Sequence, residues 1–65
     1  MLVITVRQAM DLSYRGHAIL ALPPKESKCT TRVVKMVDER TLGILLDRGW
    51  QIATVLNKEY SREAN

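Results

Sequence analysis

The sequence predicts a mainly β fold in a single domain, and three observations predict it. The chain opens on MLVITVRQAMDL, where Leu2, Ile4 and Val6 alternate with Val3, Thr5 and Arg7, the two-residue period of a strand with one aliphatic face buried. Its apolar residues are largely Val, Ile and Leu, and the aromatics are only Trp50, Tyr14 and Tyr60, a palette that suits pleated surfaces better than a helical bundle. A β-branched run, CTTRVVKMV, occupies Cys29 to Val37.

Taken in order, the opening strand starts at Met1 with no polar leader, and the expectation is that this end is held inside a sheet, since untethered termini fray. Ala9 and Met10 mark a turn or bulge. Alternation then resumes through Leu12, Tyr14, Gly16, Ala18, Leu20 and Leu22, a second strand with a break at Gly16. Pro23 and Pro24 end it, because neither can donate to a ladder, and PPKESK is a charged loop. Cys29 to Val37 forms the third strand, with a bulge or two buried faces at Val33 and Val34.

Residues 38–49 carry two patterns at once. As a helix over about 39–48, Asp38 is the N-cap, Leu42, Leu45 and Leu46 share a face, and Gly49 is the stop. As a hairpin, Asp38-Glu39 turns, Leu42, Ile44 and Leu46 alternate, and Asp47-Arg48-Gly49 turns again. Trp50 to Leu56 reads as a strand on either view, and NKEYSREAN as a short C-terminal helix after Asn57.

A 65-residue chain sits near the size at which one core holds a fold unaided, so association with a second chain is expected. Ten Lys and Arg against seven Asp and Glu give a net charge of +3, compatible with a polyanionic partner. One cysteine, Cys29, excludes an internal disulfide and a multi-cysteine metal site. The opening apolar run is too short for a membrane span and lacks a basic leader or cleavage site, so a cytoplasmic protein without a membrane partner is expected. His17 is the only histidine and has no companion that suggests a catalytic triad or metal ligand set, and no phosphate-binding glycine loop occurs. The expectation is therefore a binding protein with no catalytic residue, no metal and no cofactor.

The two ends of the chain resemble the carbon storage regulator family, small RNA-binding regulators of translation. Met1, Leu2, Val3, Ile4, Thr5, Arg7 and Leu12 match its opening, with Val6 at the place of its first arginine and Ala9, Met10 and Asp11 replacing a Gly-Glu-Ser run. Leu42, Ile44, Leu46, Asp47, Ile52, Ala53 and Tyr60 match its closing half. There Leu45 stands at a glycine, Arg48-Gly49 replaces Ala-Pro, and Val55, Leu56, Asn57 and Lys58 replace His-Arg-Glu-Glu. The resemblance tips residues 40–46 from helix to strand and makes about 16–29 an inserted segment.

It implies a five-stranded antiparallel sheet in an interlocked homodimer, the first strand of each chain lying beside the last strand of the other. It further implies two sites for GGA elements in single-stranded loops, whose base edges are free to be read, on messenger leaders or small regulatory RNAs. On this reading Ile4, Thr5, Arg7, Arg48, Val55, Leu56 and Lys58 form the RNA site. Arg7 is its strongest member, because a guanidinium is a rigid fork of donors for phosphate or guanine. Val6 and Leu56 replace arginines and remove charge-assisted contacts, which Arg48, Lys58, Arg32, Lys35, Lys25 or Lys28 would have to make good. Trp50 is a packing anchor or a platform for a base. The alternative function is a protein-interaction module or mixed-dimer partner using a Val6/Leu56 apolar patch, with a protein antagonist as a further partner. A third reading keeps the helix at about 39–48 and makes the chain a small α+β accessory protein.

Overall fold

The computed structural model describes residues 1–55, and within them the path of the N-terminal third is set by Thr5. The Thr5 hydroxyl accepts from the Gln8 amide (3.2 Å) while Gln8 Oε1 accepts from the Thr5 amide (2.9 Å). This reciprocal cap satisfies donors that a helix start leaves open. Strand β1 is accordingly only Leu2–Val3, and helix α1 runs Val6–Tyr14. Ala9 and Leu12, one turn apart, are buried, and Val6 packs against the same core.

Helix α1 stops at Gly16, whose φ of 92° lies in the left-handed region. The Gly16 amide donates to Ser13 O (3.0 Å) and the His17 amide to Leu12 O (2.9 Å), closing the open carbonyls of the last turn. Strand β2, Ile19–Leu22, and strand β3, Arg32–Val33, follow. Helix α2, Glu39–Asp47, begins on Asp38, whose carboxylate accepts from the Thr41 amide at 2.7 Å, and strand β4 is Gln51–Thr54.

The result is an α+β fold, one four-stranded sheet in the order β1-β4-β2-β3 with every neighbour antiparallel. Two β-α-β units are interleaved, so each helix crosses over one strand of the other unit. Both helices lie on one face and touch each other. Between them and the sheet, Ile4, Ala9, Leu12, Ile19, Leu42 and Ile52 form the core. Thr54 is the one buried polar residue among those described, and its hydroxyl donates to Ala18 O at 2.9 Å.

Several expectations are corrected. The first strand does not extend past Val3, the second begins at Ile19 instead of Leu12, and the third shrinks to Arg32–Val33. The helical pattern of residues 38–49 holds, with Asp38 as cap, while the strand favoured by the resemblance does not. The described residues form four strands and not five. First and last strands do pair, Leu2 with Thr54 and Val3 with Ala53, but within one chain. Since β4 also pairs with β2, neither of its edges is left for a partner's first strand. Segment 16–29 carries the inner strand β2. The C-terminal helix expected after Asn57 lies outside the described residues.

Candidate nucleic-acid interface

The last turn of α2 repeats the device that ends α1. Arg48 is the cap, Gly49 has φ 89°, the Gly49 amide donates to Leu46 O (3.0 Å) and the Trp50 amide to Leu45 O (2.9 Å). This closure turns Trp50 back onto Leu45 and delivers both to one groove. The groove runs between α2 and the β3 edge, encloses about 290 Å³, and is bordered by Thr41, Leu45 and Arg48 from one face of α2. From the β3 side come Arg32, Val34 and Lys35. Arg32 reaches it because its register partner Ala21 lies in the row that faces the helices, paired in turn with Ile52.

Among the described residues, every charged residue on this lining is a cation: Arg32, Lys35 and Arg48. None of the five described carboxylates, Asp11, Glu26, Asp38, Glu39 and Asp47, borders it. Among the described residues none of the three cations is ion-paired, whereas Arg15 lies 3.4 Å from Asp11. Beyond Gly49, a second depression is lined by Pro23, Pro24 and Lys25, so positive charge continues along the surface. The partial negative end of α2 points toward this region, and Arg48 at the cap offsets it.

At the other end of α2, the Thr41 amide and then its hydroxyl hold the Asp38 carboxyl below the usual carboxylate range, with a smaller contribution from Arg40. The neighbouring groove residue Thr41 is thereby fixed to the first turn.

The residues expected to form one RNA site are dispersed. Ile4 is 6 % exposed and belongs to the core, and the Thr5 hydroxyl is committed to its cap. Arg7 is exposed on the first turn of α1, beside Val6, Met10 and Glu39. Glu39 opens α2 and Arg48 closes it, so Arg7 and Arg48 are separated by about 13 Å of helix axis. Val55 is exposed beyond β4, and Leu56 and Lys58 lie outside the described residues. Only Arg48 enters the basic groove. Arg32 and Lys35, expected to act only as compensating cations, and Trp50 join it there. The helical reading of residues 38–49 was the signal that places Thr41, Leu45 and Arg48 on one face; Arg32 and Lys35 join them through the sheet order.

Among the described residues no three His, Cys, Asp or Glu side chains cluster as a metal site, and no helix is long and apolar enough to cross a membrane. Compared with protein-family models, curated proteins and solved structures, the chain matches none.

Proposed function

We propose that the chain is a small binder of single-stranded RNA that lays the strand along the β3–α2 groove. The observation that carries this reading is the lining: three cations that among the described residues have no ion pair and no carboxylate beside them, flanking Trp50. Guanidinium and ammonium groups neutralise phosphates without regard to sequence, and the indole face offers a stacking surface for an unpaired base. A base held in a duplex cannot reach such a surface, so looped or unpaired RNA is favoured.

The GGA element, the control of translation and a cytoplasmic location rest on the resemblance at Met1–Arg7 and Asp47–Tyr60. The homodimer has the same support, and it would use a contact other than the pairing of first and last strands. A second reading, a protein-interaction module, is favoured by the aliphatic sheet face opposite helices α1 and α2.

The test is a fluorescence-anisotropy titration of a labelled hairpin with a GGA loop, against the same stem closed as a duplex. Three phosphate contacts to a single strand give a slope of log affinity on log salt of about −2, a hundredfold loss for tenfold more salt. Arg32→Ala combined with Arg48→Ala leaves one such contact and flattens that slope to about −0.7. Loop RNA that fails to bind at low salt, or binds the double variant equally well, rejects the reading.

A further inference from the structure

The side of the sheet opposite the helices carries a second surface. The registers Val3↔Ala53, Ala53↔Leu20 and Leu20↔Val33 draw one aliphatic row across all four strands. Val3 is 53 % exposed and Val33 62 %, and in the same alternation Met1 and Val55 are 69 % and 59 % exposed. The adjoining row holds Leu22 opposite Gln51. Neither row contains a charged residue.

We propose that this face is where two copies of the chain meet, sheet against sheet. The occupant follows from charge, area and the shape of the edges. A two-fold contact sets each patch against itself, so charges near its axis would meet their like; on a chain of net charge +3, the side chains of these two rows carry no charge. A partner of different charge would be recognised by complementary groups, which these rows do not offer. The exposed parts of these side chains make up roughly a tenth of the 5184 Å² accessible surface, about 500 Å² per copy, which suits a weak, reversible dimer and falls short of the roughly 800 Å² per partner of a standard interface. The outer strands β1 and β3 are two residues long, so joining edges would add little ladder. Stacked sheets about 10 Å apart would interdigitate Val3, Leu20 and Val33 with their copies. The basic groove is on the helix side and meets this face only at Val33 on the β3 edge, so its Arg32, Arg48 and Trp50 stay accessible in both copies.

Sedimentation equilibrium of the full chain without RNA, over a concentration range of about a hundredfold, tests this independently of the groove. The expected result is a monomer–dimer transition with a micromolar midpoint. Val3→Asp, at an exposed position remote from the groove, raises the midpoint about tenfold or more, and Val3→Thr, of the same shape, raises it less. Both keep the far-ultraviolet circular dichroism of the parent. A dimer indifferent to both substitutions overturns the proposal, and so does a monomer at every concentration. In the latter case side-chain footprinting at Val3 separates a face covered by the chain's own remaining residues from one reserved for another partner.

Discussion

Helices α1 and α2 invite comparison because they have the same length, nine residues, and the same terminal devices. Each begins on an extended residue, Thr5 or Asp38, whose side chain accepts the amide three residues on. Each ends on an arginine, a left-handed glycine and a residue with a planar ring, Arg15-Gly16-His17 in one and Arg48-Gly49-Trp50 in the other. Their surroundings differ. Arg15 is paired with Asp11 of its own helix, whereas Arg48 opens onto a groove already holding Arg32 and Lys35. Identical capping chemistry therefore sets equivalent backbone paths, and the adjoining strand decides whether the end of the helix becomes a binding surface.

The strongest way to break the comparison is at the core. Leu12 of α1 and Leu42 of α2 are 1 % and 0 % exposed and share one cluster. Truncating either to alanine should cost about 2–5 kcal/mol in urea unfolding, by loss of transfer energy and by the cavity left behind. Were residues 6–14 a strand with Leu12 near a turn, Leu12→Ala would cost far less than Leu42→Ala. Comparable losses are expected.

A smaller effect sharpens the contrast in use. Alanine at Gly16 or Gly49 must take up a left-handed conformation, at about 1–2 kcal/mol each. Nothing lies within 4 Å of a Cβ added at Gly16, and at Gly49 the nearest atom is Pro24 Cβ at 3.5 Å, so backbone strain dominates in both. The stability losses should match, yet only Gly49→Ala should weaken RNA binding, because only there does the closure aim an indole into the groove. Equal binding by the two variants would separate Trp50 from the site.

How much of this was legible depends on which signals competed. Asp38 and Gly49 stand eleven residues apart, and so do Thr5 and Gly16, the same distance from cap to stop. In the second half the pair was readable as a helix. In the first, alternation over Leu2, Ile4 and Val6 continued the strand period past Thr5, although the Thr5/Gln8 pair is a capping signal and Val6, Ala9 and Leu12 follow helical spacing. Gly16 was readable as a bulge because it interrupts an alternating row, when its role is to reverse the chain into β2. The cations were individually visible, but Arg32 and Arg48 are far apart in sequence and meet only because β3 and α2 flank one groove. No local pattern encodes that neighbourhood; the sheet order does.

The smallest expected difference is in pH response, since of the two caps only Asp38 titrates. Its folded-state carboxyl is held below the ordinary range by the Thr41 amide first and the Thr41 hydroxyl second. A depressed folded value means the charged form is the stabilised one. That stability is complete above the unfolded value, about pH 4, and drains away as pH falls through the lower folded value. Asp38→Asn keeps an acceptor for the Thr41 amide but carries no charge, so its melting temperature should fall less steeply than the parent's below about pH 4. Thr5→Asn, which exchanges one neutral cap for another, should leave the acid limb of the parent unchanged. An acid limb unaltered in Asp38→Asn would show that the start of α2 is held without its carboxylate, and the asymmetry between the two caps would then be one of sequence alone.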